Sequence, residues 1–542
     1  MASENVKITI QEVNTTTPRG AGASTDIVYI PGLVTADREK TTTTEAFVST
    51  KNTPVLCQDI ATFEKHFGTV PYEYSEADKQ MYSDFSTFRY DTSYIYAKEL
   101  LKAGMAVYYE AVVGDASDED AQERLKIAMD AAEATKNTAE EALASAESEK
   151  TAATTAYEEA VAAGTTGEEL EALKSEMDDA IAAYEAAQEA YNVANSAYTT
   201  AQTNYYKSSA IGYLYQELPN RLTNITDKSE YTVKYLTTGG YPTFRKIVKD
   251  SPESNTLSKN LIDAAAARED CVALIDHIYL PTMNLDVNPL DLGNSLYSAV
   301  NSFFASEANG TYGAMFTPWA MYTCPTMLDD ATTTDKDETL QYLPASFGYL
   351  MCMANAIKTS PNWLAMAGVA RGVVPNIQKL AVDQRLSNTI AEEYQPKFGS
   401  NSNQKVSINA ITDIKPYGLT IWGNRTLHQV APNGTTALNF LNTRNMISDI
   451  KKLAYTTAKS LMFEQDSEVL WLRFKSGISP LLDRLKSGFG ISNYKIIKGT
   501  TKYDGTPLTR GEISAVIKIY PLYAVEYFEI TVVIADEDVT VS

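Results

Sequence analysis

Histidine is scarce: the 542 residues hold three, His66, His277 and His428. A serine or cysteine hydrolase needs a nucleophile held against a base, and none of the three has that setting. His66 falls in an amphipathic helical pattern and His428 follows a strand. Asp276 and His277, adjacent on a strand, point to opposite sides. Gly-x-Ser-x-Gly and Walker A sequences are missing, which argues against an α/β-hydrolase and a nucleotide motor. Cysteine is also sparse. Cys57, Cys271, Cys324 and Cys352 stand far apart, form no Cys-x-x-Cys pair, and read as reduced core thiols. No Cys/His grouping has zinc spacing and no EF-hand loop occurs; Asp329-Asp330 reads as a solvated loop. Catalysis, cofactors and metals are therefore not expected. No apolar run approaches the ~18 residues of a membrane helix, and Met1 to Lys7 lacks a secretory pattern. Synthesis in the cytoplasm without membrane insertion is expected. Basic residues are too few for a nucleic-acid coat: 46 Lys and Arg face 69 Asp and Glu, net −23.

With 44% hydrophobic and 21% charged residues, the chain can bury a sizeable core. It is long enough for roughly three or four domains. Its acidity is concentrated. From Asp115 to Lys207 there are 21 acidic and 6 basic residues, net −15. This stretch is rich in Ala, Glu and Thr, lacks proline, and has glycine only at Gly164 and Gly167. Leu170, Leu173, Met177, Ala180, Tyr184, Ala187, Tyr191, Ala194 and Tyr198 step by three and four, a heptad seam. Ser117 to Asp120 reads as a helix start, Thr166-Gly-Glu-Glu169 as a capping box, and Gly164 to Gly167 as the turn between two antiparallel helices. Residues 115–207 thus read as an inserted acidic coiled hairpin.

Residues 1–22 read as an N-terminal arm: Val6, Ile8 and Ile10 share one face of a strand, and Thr15 to Gly22 is a linker. Residues 23–114 open with the apolar strand Thr25 to Pro31, continue with a helix over Asp59 to Gly68 and another over Tyr94 to Leu101, and reach a buried strand at Met105 to Val113. In 208–405, helices alternate with apolar strands; Leu261 to Asp276 is a helix feeding a strand, so this part is α/β. In 406–521 the spacing predicts a strand around Trp422, a long helix ending near Phe463 to Asp466, a helix over Gly477 to Ser487, and strands at Tyr494 to Ile497 and Glu512 to Pro521. Residues 522–542 form a C-terminal arm strand, with Phe528, Ile530, Val532 and Ile534 on one face. Trp319, Trp363, Trp422 and Trp471 are expected in the core.

The most specific stretch is Gly418-Leu-Thr-Ile-Trp-Gly-Asn-Arg-Thr-Leu427, then Asn439-Phe-Leu-Asn-Thr-Arg-Asn-Met-Ile-Ser448, then Phe463-Glu-Gln-Asp466 before Leu470-Trp471. In this order it resembles the "WG-x-R-T-L", "N-x-R", "FE-x-N/D" and "LW" series of the sheath proteins of contractile tails. That family includes myophage tails, R-type bacteriocins and related injection systems. Asn309 to Trp319, Leu343-Pro-Ala-Ser346 and Asn362 to Gly372 resemble further family segments, with Met366 where proline is usual. The turn Leu101-Lys-Ala-Gly104 departs from the family's double glycine. The hairpin 115–207 has no counterpart in the common pattern.

The resemblance implies a mixed α/β, α+β multidomain fold. It would hold a subtilisin-like α/β domain without protease function, a C-terminal sheath domain and extended terminal arms. Trp422, Gly423, Arg425, Thr426, Arg444, Phe463, Glu464 and Trp471 would be structural motif residues. Val6, Ile8, Ile10, Phe528, Ile530, Val532 and Ile534 would lie in arms that join neighbouring subunits. The implied partners are copies of the chain, a tail tube protein, and baseplate and tail terminator proteins, in a virion tail or injection particle assembled in a bacterial host's cytoplasm. A subtilisin-like hydrolase would instead be labelled by a serine-hydrolase probe. A surface adhesin or array protein built on the hairpin would be secreted.

Overall fold

A computed structural model describes residues 26–34, 52–74, 90–113, 119–228, 230–241, 253–276, 304, 307–327, 339–356, 360–382, 384, 385, 387, 388, 406–430, 435–502 and 505–524. The arm residues Val6, Ile8, Ile10, Phe528, Ile530, Val532 and Ile534 lie outside them, as do His277, Ser117 and Asp329-Asp330.

The strands β1 (Val28–Val34), β2 (Val55–Cys57), β3 (Val107–Val113), β4 (Tyr235–Leu236), β5 (Val272–Asp276) and β6 (Gly313–Thr317) come first in the chain. After a small antiparallel sheet of β7 (Ala320–Thr323), β8 (Leu340–Leu343) and β9 (Ile377–Leu380) come β10 (Asn409–Ile414) and β11 (Gly418–Trp422). One eight-stranded sheet runs in the order β11-β10-β6-β5-β4-β1-β3-β2. Its inner six strands are parallel, and both edge strands are antiparallel. The eight strands thus cross the divisions expected at 208 and 406.

Parallel strands need cover on both faces, which is why they read as nearly unbroken apolar runs. Tyr29, Leu33, Ala273 and Met315 face α5 (Ala210–Asn224) and α6 (Glu253–Arg268). Val28, Ile30, Leu274 and Phe316 face α1 (Ile60–Phe67), α2 (Thr92–Ala103) and α7 (Ala345–Ala356). Local signals set the helix ends: Asp59 Oδ1 accepts from Thr62 N at 2.7 Å at the start of α1. Gly104, at φ 93°, ends α2.

Between β3 and α5 stand the two long helices of the insertion, α3 (Glu119–Ala162) and α4 (Glu168–Lys207). At 1.5 Å per residue they extend about 60–66 Å. The seam residues Leu170 to Tyr198 are the more covered positions of α4, and Ala194 is buried. The capping box is not formed. Gly167 is itself the N-cap, at φ 82° and without a side-chain hydrogen bond, so Thr166 lies outside the helix. Glu168, Glu169 and Glu171 in the first turn favour the helix dipole instead.

The last layer is α8 (Leu441–Ser460), α9 (Glu468–Ser487) and a hairpin of β12 (Ile491–Gly499) and β13 (Ser514–Pro521). Met446, Ile450, Ile478, Leu482 and Leu485 pack there against Trp363. α8 ends three residues before Phe463, which lies at φ 68°. α9 starts well before Gly477. That glycine marks close helix packing, since a Cβ there would lie 2.7 Å from Thr457 Cγ2 of α8.

Trp319, Trp363 and Trp471 are buried, but Trp422 is 41% exposed. β11 is an edge strand whose side chains alternate: Ile421 points into the core and Trp422 faces away. The core role expected for Trp422 is corrected on that ground.

Candidate functional site: the motif lock and the terminal hairpin

The stretch after β11 is fastened by one side chain. Asn409, at the start of β10, accepts from Arg425 N at 2.7 Å through Oδ1. Its Nδ2 donates to Arg425 O at 2.8 Å and Met315 O at 3.0 Å. Gly423 makes the approach possible: a Cβ there would sit 2.8 Å from Asn409 Oδ1 and 2.9 Å from its Cα. Asn424 then meets the start of α8, donating to Asn442 Oδ1 at 2.7 Å while its carbonyl accepts from Leu441 N at 3.0 Å. Thr426 Oγ1 donates to Leu438 O at 2.6 Å. The motif is thus a junction between the sheet edge and α8.

Both motif arginines are buried and lie on aromatic rings. Arg425 Cζ is 4.4 Å from the Phe440 ring centroid, and Arg444 Cζ is 4.1 Å from that of Tyr312. Their planar charges are held by ring faces within the chain. Trp471 is buried and stacks on Phe474 at 5.8 Å. Phe463 and Glu464 are placed differently. Phe463 is 85% exposed, and Glu464 forms only an exposed ion pair with Arg473 at 3.8 Å, which contributes little.

A buried ion cluster joins the same helix to the sheet. Lys234 Nζ lies 2.6 Å from Asp26 Oδ1 and 3.0 Å from Asp449 Oδ2. Burial opposes the lysine's charge, but the two carboxylates outweigh it and raise its pKa above the usual value. Lys452, also on α8, donates to Val233 O at 2.7 Å. Sequence reading missed Asn409 and this cluster. Lys234 left one signal, a lone cation in the apolar run Val233 to Leu236.

Asp276, set aside above as a partner for His277, is fully buried and caps α7. Its Oδ2 accepts from Ser346 Oγ at 2.6 Å and its Oδ1 from Ser346 N at 2.9 Å; Tyr96 Oη lies 3.0 Å from the same hydroxyl. Ser346 therefore gives its proton to a carboxyl, not to an imidazole. Burial pushes the Asp276 carboxyl up to about 7, against the lowering effect of Ser346. A folded-state pKa above the unfolded value means stability that is present below about pH 4 and lost as pH rises through 7. Asp91, Glu99 and Glu110 are raised in the same direction, each mainly by burial. Asp276→Asn keeps the cap without a charge, so its Tm should exceed the wild type's by more at pH 8 than at pH 5. Equal differences at the two pH values in thermal melts would refute the assignment.

At the far end, β12 and β13 pair only with each other among the described residues. Ile496, Ile517 and Ile519 pack inward on α9, whereas Ile497 and Val516, cross-strand partners, are each 42% exposed. Two strands alone are marginal, and among the described residues no further strand pairs with the outer edge of either. Among the described residues no group of three or more His, Cys, Asp or Glu could hold a metal ion, and no helix is long and apolar enough to cross a membrane.

No protein-family model matches the chain. Over 181 residues it is 25% identical to the tail sheath protein of Vibrio phage KVP40, covering 33% of this chain and 25% of that protein. Over 284 residues it is 21% identical to the tail sheath protein of Enterobacteria phage T4, covering 52% of this chain and 39% of that one. The matches thus span between a quarter and two-fifths of the curated relatives' length. Among solved structures, the contracted PVC sheath complex of an extracellular contractile injection system aligns over 98% of both chains at 11% identity, with a TM-score of 0.46. Over part of its length, the chain is thus similar in sequence to two phage tail sheath proteins.

Proposed function

We propose that this chain is the structural subunit of a contractile sheath, polymerising around a tail tube and shortening to drive the tube through a cell envelope. The similarity to two phage tail sheath proteins carries the reading. The role is mechanical and not enzymatic: the buried groups of the motif and of Asp276 are spent on holding the fold. The extended polymer stores energy as a kinetically trapped state, and subunits rotate as rigid bodies into a denser packing. Arm strands from neighbouring copies add to open sheet edges such as those of β12 and β13. The partners are other copies, a tube protein, and baseplate and terminator proteins of a virion tail or injection particle put together in the host cytoplasm. Negative-stain microscopy of the assembled protein tests this: striated tubes of two lengths are expected, and the absence of any tubes from native particles would end it.

The insertion is set apart from this machinery. Its two ends meet, since Gln122 Nε2 donates to Ser208 O at 3.3 Å. A net charge of −15 packed into a repeating interface would repel its own copies, so the hairpin projects outward. Replacing residues 115–207 with a short Gly/Ser link is expected to leave tubes intact by microscopy. Loss of all tubes would make the hairpin an assembly element.

A further inference from the structure

Both ends of the described chain are fastened to one helix. At the N-terminal side, Asp26 stands two residues before β1 and is tied through Lys234 to Asp449 in α8; all three side chains are at most 5% exposed. Asn362 Nδ2 adds a contact to Asp26 Oδ2 at 3.4 Å. At the C-terminal side, Tyr523 follows β13 and packs its ring on Phe440, the N-cap of α8, with centroids 4.8 Å apart. Arg425 lies on that same Phe440 ring. The two attachment points, Phe440 and Asp449, are nine residues apart on the helix, about 14 Å at 1.5 Å per residue.

We propose that α8 is a strut that carries tension: a pull between residues 1–25 and residues 525–542 passes from Asp26 through Lys234 and Asp449 along α8 to Phe440 and Tyr523. Lys234 also donates its N–H to Ile27 O at 2.8 Å, so the clamp ties α8 to the sheet beside β1. The chemistry suits the task. A desolvated lysine between two carboxylates gives short, directional contacts, and removing one partner leaves a charge buried without its counterpart. Without the clamp, tension on the N-terminal side would fall directly on β1, which is hydrogen-bonded between β3 and β4 at the centre of the sheet. The use of such a strut in contraction rests on the sheath reading above. The load path itself does not, and it can be measured on the single chain.

The test is optical-trap pulling of the full-length protein along two axes. One axis runs between handles at the termini. The other runs between Lys65→Cys and Gly164→Cys, through α1 and the inserted coil; the four native thiols are buried and leave maleimide handles to the introduced ones. Lys234→Met is expected to lower the first rupture force about twofold along the terminal axis, because a buried ion pair is broken. The second axis should show no change. Should Lys234→Met fail to fold, Asp26→Ala decides, since it removes the acceptor on the N-terminal side while leaving Lys234 paired with Asp449. An equal fall along both axes would mean that the cluster merely stabilises the fold, and no fall along either would mean that load runs elsewhere. Each of these results overturns the proposal.

Discussion

Deleting residues 1–20 should give a folded, soluble protein that forms no long tubes. The described cores are built from residue 27 onward, and the first described strand of the sheet begins at Val28, both after the deleted segment. Circular dichroism and Tm should therefore stay near wild type. What is lost is the segment whose alternation predicts a strand with Val6, Ile8 and Ile10 on one face, and the sequence offers it no hairpin partner nearby. An apolar strand without a partner is an aggregation hazard unless a sheet receives it. In a polymer that sheet can belong to a neighbour. The double change Phe528→Asp, Ile530→Asp at the other terminus should act in the same way. Microscopy and sedimentation check the polymers. If arm-deleted protein still assembled into tubes that contract, strand exchange would be wrong here even with the sheath reading intact.

Asn409→Ala should be among the most destabilising single changes in the chain. The side chain serves three buried backbone groups: Arg425 N–H, Arg425 C=O and Met315 C=O. Alanine leaves all of them without this partner, and each unsatisfied group costs about 1–3 kcal/mol. A loss of roughly 3 kcal/mol or more follows, in the range reserved for specific buried failures. Asn409→Asp is no rescue. It keeps the acceptor for Arg425 N but turns a carboxylate toward two carbonyls. A Tm within about 2 °C of wild type for the alanine variant would show that the β11–α8 junction is held by something else.

The sequence made much of this architecture legible, and for identifiable reasons. Heptad spacing placed the coil because a two-helix seam has only one pattern to follow. Asp59, Gly68 and Gly104 marked helix ends because cap chemistry is local. Signals that depend on a distant partner were misread. Gly477 was read as the start of a helix that in fact begins at Glu468, because the reason for a glycine there, the side chain of Thr457, lies on another helix. Trp422 looked like core because hydrophobicity does not reveal which strand lies at a sheet edge. Asn409 and Lys234 passed unnoticed since each is an ordinary residue until its partners, sixteen and more than two hundred positions away, are brought to it.

The inserted coil also bears on the order in which the chain folds. β1 must find β4, and Val28 pairs with Tyr235 across about two hundred residues, a loop whose closure entropy rises with the logarithm of its length. α3 and α4 need only each other, and helical hairpins form on the microsecond scale, long before a parallel sheet is complete. Once zipped, they hold residues 122 and 208 side by side and remove about ninety residues from the loop that β1 and β4 must close. The gain is about 0.5 kcal/mol, roughly a twofold faster closure. Exchanging the coil for flexible chain of equal length should cost that factor in stopped-flow refolding, whereas the short Gly/Ser link should not. The insertion thus lets the chain carry a long appendage without slowing the search for its central strand pair.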